Sequence, residues 1–97
     1  MTVIIVPAIA AKIEQQDHGS LTRKEIEQCF ENHCGGYCTD NREEHRTDPP
    51  TLWFVGETNQ RRRLKIVFIQ RGNDIVLKSA YPATQEIERI FHKYSSR

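Results

Sequence analysis

Residues 51–81 read TLWFVGETNQRRRLKIVFIQRGNDIVLKSAY, and this stretch decides the fold. Thr51 to Thr58 is rich in aromatic and β-branched residues, which suit a pleated, half-buried strand. Arg63 to Gln70 alternates, with Leu64, Ile66 and Phe68 on one face. Ile75 to Tyr81 forms a third run. Asn59-Gln60-Arg61-Arg62 is a polar turn, and Arg71-Gly72-Asn73-Asp74 is a tight one that places glycine where a positive φ is needed. Two short turns joining three strands require an antiparallel meander.

Helices flank this centre. Downstream, Pro82 ends the third strand and Thr84 caps a helix whose Ile87, Ile90, Phe91 and Tyr94 are placed to pack on the sheet. Upstream, Thr22-Arg23-Lys24-Glu25 is a capping box, with Leu21 and Ile26 as its hydrophobic staple. Ile26, Cys29 and Phe30 follow at the spacing of a buried helical stripe. An earlier helix starts at Pro7, carries Ile9 and Ile13 on one face and stops by Gly19. Thr2 to Val6 suits a first strand or an extended arm, and Tyr37-Cys38-Thr39 a brief strand. Asp40 to Pro50 is polar, closes on two prolines and reads as a loop. The predicted architecture is α+β: N-terminal helices, a three- to four-stranded antiparallel meander and a C-terminal helix, in one domain over residues 1–97.

Composition narrows the function classes. Of 97 residues, 28% are charged and 37% hydrophobic, as in an ordinary globular chain. The net charge of +1 supplies no global pull toward nucleic acid or membrane, so such attraction must be local. The apolar run at residues 3–6 has no basic flank and is too short for a signal peptide or a bilayer span. Cys29, Cys34 and Cys38 leave at least one thiol without an internal partner, which suits a reducing compartment. A cytoplasmic location is predicted.

Three constellations invite chemistry. His33, Cys34 and Cys38, with Cys29 and His45 nearby, offer zinc-type ligands, but no Cys-x-x-Cys pair is present and Cys29 belongs to the apolar stripe. No metal is predicted. Arg61, Arg62, Arg63, Lys65, Arg71 and Lys78 fall on the meander against Glu57 and Asp74, a local excess of four positive charges. Convergent cations on a sheet can hold a phosphodiester backbone and stabilise the charge of its cleavage; they equally suit a solvated face that discourages edge-to-edge pairing. Neutralising about four phosphates predicts a salt slope near −3 for single strands. The loop from 40 to 48 holds Asp40, Glu43, Glu44 and Asp48 against Arg42 and Arg46, and His45 in its middle is the best general acid or base by intrinsic pKa. Trp53 reads either as a core aromatic or as a binding anchor. Several exposed aromatics in one place, as a base-stacking platform requires, are not evident.

The order of these segments resembles the BrnT-type toxins, small RNases of the wider RelE/ParE-like group. The resemblance runs from about residue 17 to 94: His18-Gly19, the capped helix ending near Phe30, the polar loop, the strand–turn–strand from Arg63 to Thr84, and the Glu86-Ile87-Glu88-Arg89 helix. One departure is Ser79-Ala80-Tyr81, where the family tends to read Ser-Ala-Arg. Similar small chains are often called ADP-ribosyl-(dinitrogen reductase) hydrolases; genuine enzymes of that name resemble large helical proteins with a two-metal carboxylate site, for which this chain is too short. The toxin resemblance implies metal-independent endoribonuclease activity in a bacterial toxin–antitoxin system. In it Arg61, Arg62, Arg63 and Arg71 hold phosphates, Lys65 and Lys78 stabilise the transition state, and His45 or Tyr81 handles protons. The implied partners are RNA and a cognate antitoxin or other protein, with no membrane and no small-molecule cofactor. A non-catalytic protein-binding module is the alternative.

Overall fold

The computed structural model describes residues 2–15, 20–40 and 49–95. In chain order the elements are β1 (Thr2–Ile4), α1 (Pro7–Glu14), α2 (Arg23–Asn32), β2 (Cys38–Thr39), β3 (Thr51–Glu57), β4 (Arg63–Arg71), β5 (Asp74–Pro82) and α3 (Gln85–Ser95). None of the helices among the described residues is long and apolar enough to cross a membrane.

The local signals act as their chemistry dictates. Pro7 opens α1. At α2 the Glu25 amide donates to the Thr22 hydroxyl at 3.2 Å, while the Thr22 amide donates to the Glu25 carboxylate at 3.1 Å. Leu21 and Ile26 beside this box are fully buried, as is Cys29 further along the stripe, and Phe30 is buried to all but a small edge. Gly72 makes the β4–β5 turn at φ +60°, and Thr84 accepts a bond from the Ile87 amide at the start of α3.

The sheet departs from the expected three- to four-stranded antiparallel meander. β3, β4 and β5 do form that meander, but β2 extends it beyond β3 and β1 joins β5 in parallel, giving five strands in the order β1-β5-β4-β3-β2. The architecture is α+β with a mixed sheet. β1 is an arm of three residues whose partner lies some seventy positions away (Val3 faces Ile75), and no local pattern specifies such a pairing. It is held by burial of Val3 and by Arg23, whose guanidinium donates to the Val3 carbonyl.

Leu64, Ile66 and Phe68 project to one side with Phe54 and Gly56, where α2 packs. Phe30 meets Phe54 at 4.9 Å and Phe68 at 5.2 Å between ring centres, in tilted and edge-on geometry. α3 packs on β3 and β2 where Arg63 and Trp53 project. A β-bulge breaks the β4–β5 ladder: Val67 pairs with Ser79 but Phe68 with Leu77, so Lys78 is the extra residue. The bulge resets the alternation of β5, and Ala80 is buried although it lies an odd number of residues from buried Leu77.

Candidate functional site

The register of β4 sets Lys65 between Val55 on β3 and Tyr81 on β5. Its ammonium lies 4.7 Å from the centre of the Trp53 ring and 5.6 Å from that of Tyr81. Both distances are within the range of cation–π attraction, so the aromatic pair fixes the charge in place. Cys38 of β2 pairs with Trp53 across the ladder; burial raises its thiol pKa, and the Lys65 charge partly opposes that rise. Lys65, Tyr81, Trp53 and Cys38 therefore form one neighbourhood.

The other predicted cations are dispersed. Arg62 donates to the Glu25 carboxylate at 3.0 Å and to the Ser20 carbonyl at 3.0 Å, tying the β3–β4 turn to the α2 cap. Arg63 pairs with Glu57 across the β3–β4 ladder at 3.1 Å and with Glu88 of α3. Arg61 is exposed in the turn at φ +66°. Arg71 is exposed at the far end of β4, about 26 Å from Arg63 at roughly 3.3 Å per residue. Lys78 is exposed at the bulge. Of the predicted catalytic set, Lys65 and Tyr81 are brought together; His45 lies outside the described residues.

The candidate metal ligands among the described residues lie apart in their surroundings. Cys29 is buried beneath β3, its thiol pKa pushed up to about 12 by burial first and then by Glu25 and Glu57. Cys34 is exposed and Cys38 buried. The His33 ring stacks on Tyr37 at 5.2 Å and shares a hydrogen bond with the Gly36 carbonyl at 3.0 Å. Among the described residues no group of three or more histidine, cysteine or carboxylate side chains converges as a metal site would need.

Between α3 and β2 lies a cleft of about 570 Å³ lined by Tyr37, Cys38, Thr39, Trp53, Ile90 and Tyr94. Its size falls in the usual range of ligand sites. Sequence reasoning missed it and sent Ile90 and Tyr94 into the core. The structure corrects this: Ile87 and Phe91 pack inward, while Ile90 is 40% and Tyr94 55% exposed at the rim. The available signal was the pairing of Ile90 with Tyr94 at i, i+4, one residue out of phase with Ile87 and Phe91. It also gathers Tyr37, Trp53 and Tyr94, three aromatics scattered over more than half the chain.

Comparison of the chain with protein-family models, with curated proteins and with solved structures found no match.

Proposed function

We propose that this chain is a small RNA-cleaving domain that works without a metal ion, of the kind bacterial toxin–antitoxin systems pair with an antitoxin. Within that class the BrnT-type toxins, with their RelE/ParE-like fold, are the reading favoured by the motif from Arg63 to Thr84 and by the order of the surrounding elements. The observation that carries the proposal is the placement of the Lys65 ammonium beside Tyr81 on adjacent strands. In RNA cleavage the 2′-oxygen attacks the neighbouring phosphorus and the 5′-oxygen leaves. Negative charge grows on the phosphoryl oxygens as this happens, and a fixed ammonium stabilises it. A phenol next to that ammonium is placed to give its proton to the departing 5′-oxygen. His45 has the proton affinity to take the proton from the 2′-hydroxyl. Lys78 adds charge from the bulge, and Arg61 and Arg71 are the guanidiniums exposed toward a longer strand.

Expression of the chain in bacteria, with growth and total RNA followed, is the test. Arrested growth and fragmented RNA are expected, with both effects lost in the Lys65→Ala, Lys78→Ala double variant and strongly weakened in Tyr81→Phe. Normal growth with intact RNA at high expression overturns the activity. Full toxicity of the double variant overturns the residue assignment alone.

A second reading, a protein-binding module without catalysis, is favoured by the ion pairs of Arg62 and Arg63. Two of the four guanidiniums assigned to phosphate are already neutralised by Glu25, Glu57 and Glu88. The partner would be an antitoxin, a host factor or a phage-defence component. A stoichiometric protein recovered with the tagged chain, with cellular RNA intact, supports this reading; RNA cleavage by the purified chain removes it.

A further inference from the structure

We infer that the cleft between α3 and β2 binds unstacked bases of single-stranded RNA. This rests on the RNA reading above and assigns that reading a base-binding site beside the Lys65–Tyr81 pair, with Lys65 shared between the two. Three of the six lining residues are aromatic: Tyr37, Trp53 and Tyr94. Two of the three carry a cation against the ring, Lys65 at 4.7 Å from the Trp53 centre and Lys93 at 5.5 Å from that of Tyr94. Arg89 stands one helical turn before Lys93, and both are exposed. Rings that offer stacking surface, bordered by cations that offer charge to the linking phosphates, are the two components of sequence-tolerant single-strand binding. The charges decide between occupants. An apolar peptide would gain from Ile90 but bring no negative charge to the lysines, whereas each base brings an aromatic face and its own phosphate. The site also adjoins the proposed chemistry, because Lys65 touches both Trp53 and Tyr81. A strand with a base in the cleft would run past the Lys65–Tyr81 pair.

Trp53 is the only tryptophan of the chain and reports on the cleft directly. The experiment titrates the full chain with a 2′-O-methyl hexaadenylate, which lacks the attacking hydroxyl and so persists when bound. A hexamer of abasic sugar-phosphates serves as the comparison, with tryptophan fluorescence as the readout. Quenching by hexaadenylate is expected, with the abasic strand binding roughly 5- to 150-fold more weakly, the fold-change equivalent to stacking one base. Tyr94→Ala should lose a similar factor for hexaadenylate and nothing for the abasic strand, while Tyr94→Phe should bind as the parent. Tyr94 is more than half exposed, so these variants leave the core intact. Equal binding of the two strands, or no effect of Tyr94→Ala, overturns the inference. Binding of neither strand also overturns it and points to a protein in the cleft. The cleavage reading is scored separately. Base-dependent binding with cellular RNA left intact keeps the cleft and removes the nuclease, and RNA cleavage unaffected by Tyr94→Ala does the reverse.

Discussion

Gly56 on β3 and Cys29 on α2 meet so closely that a β-carbon on Gly56 would lie 2.7 Å from the Cys29 Cβ and 3.2 Å from its Cα. The neighbour on one side is helix backbone, which cannot swing aside as a side-chain tip can. Overpacking of this kind costs ~1–3 kcal/mol, and Gly56→Ala should fall at the upper end. A thermal melt is expected to show a midpoint lower by about 10–20 °C, at the usual 4–8 °C per kcal/mol for a chain this size. Gly72→Ala is the contrast. Nothing stands within 4 Å of its added carbon, and its φ of +60° alone costs about 1–2 kcal/mol.

The three thiols should differ in reactivity. Cys34 is exposed, while Cys29 and Cys38 are buried with raised pKa values. One thiol per chain should react quickly with a disulfide reagent in the folded protein, and all three after denaturation; Cys34→Ser should abolish the fast phase. The same shifts fix the sign of a pH effect. Cys29 holds its proton in the folded state up to about 12 but ionises near 9.0 when unfolded, so its contribution is complete below pH 9 and is lost as pH rises toward 12. Stability should decline by up to ~1.4 kcal/mol per pH unit from this group. A denaturant series should show a shallower alkaline decline for Cys29→Ala.

Arg62 and Glu25 join two elements at a single carboxylate, since Glu25 also closes the capping box of α2. Glu25→Ala removes both functions and should cost about 1–2 kcal/mol, whereas Arg62→Ala removes the part-exposed ion pair and the bond to the Ser20 carbonyl and should cost about 0.5–1 kcal/mol. A double-mutant cycle by urea denaturation should return a coupling of roughly 0.5 kcal/mol or more. RNA affinity should change little in Arg62→Ala, because the guanidinium is already committed to the fold.

Arg61 occupies the left-handed region at φ +66°, with its amide bonded to the Thr58 carbonyl at 2.9 Å. Glycine relieves ~1–2 kcal/mol of strain there and gives back part of it through the freer unfolded chain. Arg61→Gly should therefore stabilise by about 0.5–1 kcal/mol while weakening RNA binding. Calorimetry and an RNA titration moving in opposite directions would identify a residue kept for its charge.

Ion pairing also changes the expected salt dependence. The local charge excess alone predicts a slope near −3. With Arg62 and Arg63 committed to Glu25, Glu57 and Glu88, and Arg71 at the far end of β4, about three phosphates remain within reach of Arg61, Lys65 and Lys78. The logarithm of the binding constant against that of salt should fall with a slope of about −2. A slope of −3 or steeper that returns to about −2 in the Arg62→Ala, Arg63→Ala double variant would show that the arginines leave their carboxylates on binding; one that persists there would assign the extra contacts to Arg89 and Lys93 beside the cleft.

The sequence alone determined what short-range chemistry controls. The Thr22–Glu25 box, the Ile26, Cys29 and Phe30 stripe, the glycine turn at Gly72 and the meander of residues 51–81 were legible because each depends on residues a few positions apart or on a simple period. Only the tertiary structure decided the rest. β1 found β5 in parallel because burial of Val3 and the reach of Arg23, not local pattern, select that partner. The bulge displaced Lys78 from the regular ladder, and alternation cannot reveal an inserted residue. Charge counting placed Arg62 and Arg63 on a free basic patch, but Glu25 lies 37 positions from Arg62 and Glu88 reaches Arg63 only once α3 has crossed the sheet. The cleft has the same origin. A helical period assigns Ile87, Ile90, Phe91 and Tyr94 to one broad stripe, and only the angle at which α3 meets β2 and β3 decides which of them are buried and which are left to meet a ligand.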